Sequence, residues 1–110
     1  MRITHEQHDQ ATVIRLTGDF TVDAVEPFKR IVQEQLSRSR DFILDFGHVE
    51  FIDSRGLETL LWLQDQAAEQ LGQVCLIGAS ENVCTVLRVT RLESRFQVHE
   101  ELRGALRSMR

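Results

Sequence analysis

Two short apolar runs, Phe42-Ile43-Leu44-Asp45-Phe46 and Val74-Cys75-Leu76-Ile77, most constrain what this chain can fold into. Neither is long enough for an ordinary helix, and each is followed at once by a glycine, Gly47 or Gly78. Nearly continuous apolar character marks a strand covered on both faces. Between the two runs the period changes. From about Ser54, residues Leu57, Leu60, Leu61, Gln64, Ala67, Ala68 and Leu71 recur as on one face of a helix, with Gly72 expected as its C′ residue. Buried strand, helix, buried strand is the repeating unit of a parallel sheet.

The flanking segments extend the pattern. Residues 2–9 predict a weak edge strand, and Ala11 to Leu16 a better one through Val13, Ile14 and Leu16, closed by the turn Thr17-Gly18-Asp19. These two form an antiparallel hairpin. A helix follows, in which Asp23 and Glu26 have capping-box spacing, Pro27 falls near the first turn, and Val25, Phe28, Val32 and Leu36 share a face. Gly47-His48-Val49-Glu50 reads as a connection, after which Phe51-Ile52 is expected to return to the core. Trp62 and Leu63 lie outside the narrow apolar stripe, and Trp62 is a candidate anchor for a partner. Ser80 can cap a third helix carrying Val83, Val86 and Leu87. Phe96-Gln97-Val98 gives a last strand, and Glu100 to Met109 a final helix through Leu102, Ala105, Leu106 and Met109. The expectation is a single α/β domain over residues 1–110, in the order β-β-α-β-α-β-α-β-α. Its sheet is mixed but mostly parallel, with about five strands and about four helices.

Composition narrows the function. A formal net charge of −4 argues against direct nucleic-acid binding. The late arginines Arg88, Arg91, Arg95, Arg103, Arg107 and Arg110 read as solvated helix faces. No apolar stretch approaches the ~20 residues of a membrane span, and Met1-Arg2-Ile3-Thr4-His5 lacks a signal-peptide core. Cys75 and Cys84 offer no disulfide framework and read as core residues, so a cytoplasmic location is expected. His5, His8, His48 and His99 show no metal-ligand spacing, Ser54 lacks a Gly-x-Ser-x-Gly elbow, and the glycines are scattered. Neither catalytic nor metal residues are therefore assigned, and no cofactor is expected.

One turn stands apart. In Phe51-Ile52-Asp53-Ser54-Arg55-Gly56-Leu57-Glu58 a buried segment meets a polar bend and then a helix N-terminus. A hydroxyl there lies beside unpaired N–H groups and the positive end of the helix dipole, where an added anion is well tolerated. Ser54 is the candidate phosphorylation site. The bland alternative is an N-cap worth roughly 1 kcal/mol; Asp53 could equally be that cap, leaving Ser54 facing solvent.

The element order together with this turn resembles the STAS domain, and more narrowly the bacterial anti-sigma factor antagonists. The resemblance covers nearly the whole chain. It is carried by Arg15-Leu16-Thr17-Gly18-Asp19-Phe20, and by Ile43-Leu44-Asp45-Phe46 continuing through Val49-Glu50-Phe51-Ile52 to Asp53-Ser54-Arg55-Gly56-Leu57. It implies that Ser54 is phosphorylated by an anti-sigma factor that is also a GHKL-type serine kinase. The unphosphorylated form binds that partner, the phosphorylated form releases it, and a phosphatase acting on phospho-Ser54 resets the switch, which regulates transcription. The implied contact residues are Asp19, Thr21, Asp53, Ser54, Arg55, Gly56 and Leu57, with Trp62 as an added candidate. Thr21 stands where many members have Asp, and Arg55 where many have a small residue. A rival reading within the same family is a non-catalytic accessory subunit of a transport ATPase, with the same turn facing the ATPase.

Overall fold

The computed structural model describes residues 1–109. Five strands, β1 (Arg2–His8), β2 (Ala11–Thr17), β3 (Asp41–His48), β4 (Val74–Ile77) and β5 (Gln97–His99), form one sheet in the order β1-β2-β3-β4-β5. Only the β1–β2 pair is antiparallel. Four α-helices connect or follow the strands: α1 (Val22–Gln35), α2 (Ser54–Glu69), α3 (Glu81–Val89) and α4 (Leu102–Ser108), with a single 3₁₀ turn at Glu93–Arg95. This is the α/β order expected from the sequence.

Strand alternation divides the core in two. Ile14, Leu16, Phe42, Leu44, Phe46, Val74 and Leu76 meet α1, α2 and α3 through Phe28, Val32, Leu60, Leu63, Val83 and Leu87. On the other face, Val13, Ile43, Cys75 and Ile77 pack under α4 at Ala105. β3 and β4 are thus covered on both sides, which is why their sequences read as nearly continuous apolar runs. Burial pushes the Cys75 thiol pKa up, so it behaves as a small apolar side chain, while Cys84 is only half-buried.

Several local expectations need correction. α1 begins one residue before Asp23: its N-cap is Thr21, with no side-chain cap bond, so Asp23 and Glu26 form no capping box. Pro27 sits in the second turn, exposed, and removes the N–H that would have reached the Asp23 carbonyl. In α2 the buried stripe is Gly56, Thr59, Leu60, Leu63 and Ala67, whereas Ala68 and Leu71 are exposed. The end of α2 also differs from expectation. Leu71, not Gly72, adopts the left-handed conformation (φ 62°), with Leu71 N–H donating to Ala68 O and Gly72 N–H to Ala67 O. That is a Schellman closure with leucine at C′. Gly72 answers to a different demand, since a Cβ there would lie 1.8 Å from the Arg40 carbonyl oxygen. β5 is shifted by one residue from the sequence expectation, to Gln97–His99, and α4 is shortened at both ends, to Leu102–Ser108.

Candidate functional site

The site is a rim at the C-terminal ends of the parallel strands, where the loops leading into α1 and α2 run side by side. Phe20 anchors the first loop. Fully buried, it packs edge-on against Phe28 (5.2 Å between ring centres) and Phe46 (5.9 Å). A short backbone ladder then ties the loops together. Gly18 N–H donates to His48 O (3.1 Å), Phe20 N–H to Phe51 O (2.9 Å), and Asp53 N–H to Phe20 O (3.4 Å), with Phe20 and Ile52 as the bridged pair.

That ladder imposes a period of two on residues 51–53. Ile52 turns inward and is 3% exposed, so Phe51 turns outward and is 55% exposed. The expectation that both return to the core therefore holds for Ile52 alone. Asp53 follows on the outer side as the N-cap of α2, its Oδ1 accepting from the Gly56 N–H at 2.9 Å. Ser54 is the first helical residue and its side chain is exposed. The cap role thus belongs to Asp53 and leaves the Ser54 hydroxyl uncommitted. The N–H groups of Ser54 and Arg55 have no intrahelical acceptor by the geometry of a helix start. An oxyanion on Ser54 would meet these donors and the dipole of a helix 16 residues long.

The remaining candidates divide by orientation. Asp19 is exposed and Thr21 half-exposed on the neighbouring loop; the parallel Phe20–Ile52 bridge sets Asp19 beside Phe51 and Thr21 beside Asp53. Arg55 is exposed and pairs with Glu58 one turn on (3.6 Å). Gly56 is buried, because a Cβ there would lie 2.2 Å from Phe20 O and 2.8 Å from Ile52 Cγ1. It is the contact that seats α2 on the rim. Leu57 is half-buried against the core. Trp62 lies two turns farther along α2, about 12 Å from Ser54 along the axis. It is half-buried, with Lys29 Nζ of α1 5.1 Å from its ring centre. Sequence reasoning placed Phe51 in the core and did not consider Val22, yet both are exposed apolar residues of this rim (55% and 51%). The signal available for Phe51 was the strand period. Among the described residues no group of three or more His, Cys, Asp or Glu is placed to hold a metal ion, and no helix is long and apolar enough to cross a membrane.

Comparison with known proteins agrees with this architecture. The family model described as "Mlab, STAS domain" matches residues 3–104. A STAS-domain containing protein of Pseudomonas aeruginosa (strain UCBPP-PA14) is 26% identical over 89 residues, which is 81% of this chain and 88% of that protein. Among solved structures, an anti-sigma-factor antagonist (STAS) domain protein from Planctomyces limnophilus superposes with a TM-score of 0.86 at 23% identity, covering 97% of each chain. SpoIIAA of Bacillus in its phosphorylated form gives a TM-score of 0.79 at 20% identity, over 99% of this chain and 100% of that one. The anti-sigma factor antagonist SpoIIAA in its unphosphorylated form gives 0.78 at 19% identity, over 97% and 96%. With a family model spanning nearly its whole length and the fold to match, the chain belongs to the STAS domain family.

Proposed function

We propose that this protein is an anti-sigma factor antagonist switched by phosphorylation of Ser54. In this reading the rim, with the Ser54 hydroxyl at its centre, docks on an anti-sigma factor that carries GHKL-type serine kinase activity. Asp19, Thr21, Asp53, Ser54, Arg55 and the Gly56 backbone form the contact, which Leu57 and Trp62 extend along α2. Release of the sigma factor then follows from occupancy of its inhibitor, and a phosphatase acting on phospho-Ser54 restores the binding form.

The observation that carries the reading is the division of labour at the start of α2. Asp53 takes the capping bond, so the neighbouring hydroxyl is exposed and free for modification. Phosphate adds about −1.5 to −2 charges at neutral pH. At a helix N-terminus that charge is well accommodated, so the domain stays folded. Against a partner surface shaped for the neutral hydroxyl it is repelled and costly to desolvate. Loss of one contact and gain of one repulsion amount to several kcal/mol, on the order of a 10²-fold or greater fall in affinity.

The test is incubation with the GHKL-type kinases of the source organism and ATP. Phosphate incorporation is expected in the wild type and absent in Ser54→Ala. Kinase binding is expected to survive Ser54→Ala and to be lost in Ser54→Asp. Equal binding by Ser54→Asp and wild type would refute the switch. If phosphorylation fails and a transport ATPase subunit co-purifies through the same rim, the accessory-subunit reading takes its place.

A further inference from the structure

Three of the six large apolar side chains that stand exposed among the described residues, Met1, Val22 and Phe51, belong to the rim of Ser54. Met1 lies over Gly18, whose Cβ position is 3.4 Å from the Met1 Cα. Val22 opens α1, immediately after the Phe20–Thr21 segment of the ladder. Phe51 is held outward because its own carbonyl is fixed by the Phe20 N–H and its neighbour Ile52 is committed to the core. The aromatic ring is therefore presented on a rigid backbone three residues from the candidate phosphosite. A rigidly held aromatic ring grouped with other exposed apolar side chains, unlike one scattered singly, marks an interaction surface.

The charge around Phe51 and Val22 is mostly acidic: Asp19, Asp23 and Glu50 are exposed and Asp53 half-exposed, against Arg55, which faces Glu58 at 3.6 Å, and Met1 and Arg2 at the Gly18 end. A second copy of the chain would bring like charges together. An anionic lipid surface would be repelled as well.

We infer that Phe51, assisted by Val22, is the apolar anchor of the partner interface, and that the partner offers a hollow lined by apolar side chains and ringed by Lys and Arg. The inference rests on the reading that a kinase docks on this rim, and it adds which residues hold the partner and the chemistry of the surface it brings. A central aromatic anchor sets the dissociation rate. The acidic ring speeds encounter and makes it salt-dependent.

Each GHKL-type kinase of the source organism, purified, would be titrated with wild type, Phe51→Ala, Phe51→Leu, Val22→Ser and the control Leu71→Ala. Leu71 is 88% exposed but lies at the far end of α2. Urea unfolding of each variant reports that it is folded. Phe51→Ala is expected to weaken binding at least ~30-fold, mainly through faster dissociation, with Phe51→Leu intermediate. Val22→Ser should lose a smaller factor, and Leu71→Ala none. Raising the salt concentration should slow association with wild type, and Asp19→Asn combined with Glu50→Gln should flatten that dependence. If Phe51→Ala binds within twofold of wild type, or Leu71→Ala loses as much, the anchor assignment is wrong while the switch reading stands. If Phe51→Ala fails to fold, Phe51→Leu decides: binding equal to wild type overturns the anchor. If no kinase binds or phosphorylates wild type, the reading beneath fails and this inference falls with it.

Discussion

Gly56→Ala tests the reasoning about the rim at a single atom. The added Cβ would lie 2.2 Å from the Phe20 carbonyl oxygen and 2.8 Å from Ile52 Cγ1. Neither contact can be relieved by rotating a flexible side chain. The oxygen belongs to a backbone pinned by a fully buried phenylalanine, and Ile52 is only 3% exposed. The start of α2 must therefore move away from the α1 loop by about 1 Å, a strain that costs about 1–3 kcal/mol. The bond most sensitive to that shift is Asp53 N–H to Phe20 O, already 3.4 Å long, and losing it costs about 1 kcal/mol more. Against this, alanine is favoured over glycine within a helix by up to about 1 kcal/mol. The net expectation is a loss of about 2 kcal/mol, or a fall in Tm on the order of 10 °C for a domain of this size.

Gly104→Ala is the matched control. It too lies within a helix, but its Cβ position is 3.5 Å from the nearest atom, His99 Nδ1, an ordinary contact. There the helix preference acts alone, and a gain of a few tenths to about 1 kcal/mol is expected. Equilibrium urea unfolding of wild type and both variants decides the matter. If Gly56→Ala unfolds at the wild-type midpoint, or if both variants shift the same way, the rim is not seated by that close approach.

Other consequences are as direct. Leu71 holds a left-handed backbone while 88% exposed, so Leu71→Gly removes strain without losing packing and should raise stability by about 0.5–1 kcal/mol in the same urea assay. Thr12 and Ser39 share a buried hydroxyl pair, and Thr12→Val leaves the Ser39 oxygen without its partner, an expected loss of about 1–3 kcal/mol. The guanidinium of Arg15 (2.7 Å) and then His8 hold the Glu6 carboxyl down at about 2. A depressed carboxylate contributes stability that is present above its unfolded value of 4.5 and fades as pH falls toward 2. NMR titration of Glu6 should place its midpoint near that lower value, and Arg15→Gln should return it toward 4.5. Ser54→Asp places a charge at the first residue of α2 and should leave stability unchanged or raise it slightly, by about 0.3–1 kcal/mol in the urea assay; marked destabilisation would contradict a site built to accept an anion.

The parts of the fold legible in the sequence were those set by local period. The doubly covered strands β3 and β4, the Ser80 cap of α3, whose Oγ accepts from the Val83 N–H at 3.2 Å, and the start of α2 at Ser54 follow from patterns within a few residues. What was not legible depends on contacts between distant segments. Residues 51 and 52 are equally apolar, and only pairing with Phe20 decides that Ile52 enters the core. The buried stripe of α2 was obscured because two of its members are glycine and threonine. Gly56 was chosen by the Phe20 carbonyl, and Thr59 donates to Arg55 O at 2.8 Å. Gly72 looks like a helix stop, yet the Arg40 carbonyl, 32 residues earlier in the chain, is what requires it.

In the proposed switch, the same distant contacts would let one hydroxyl change a partner without changing the fold. Phe20 fixes one loop from below, and three backbone bonds transfer that rigidity to the loop that carries Asp53 and Ser54. Asp53 then takes the capping bond that Ser54 would otherwise need for the helix. Ser54 is thus released from structural duty at a place that is nonetheless held still. A charge added there does not compete with any internal contact, so in the proposed complex its free-energy consequence would fall on the interface instead of the core. Moving the cap back to the serine, as Asp53→Ala should do by removing the better acceptor, ought to draw the hydroxyl toward the Gly56 N–H. The predicted signature is a loss of about 1 kcal/mol in stability together with slower phosphorylation of Ser54. Unchanged phosphorylation in a destabilised Asp53→Ala would show that the freedom of that hydroxyl does not govern its modification.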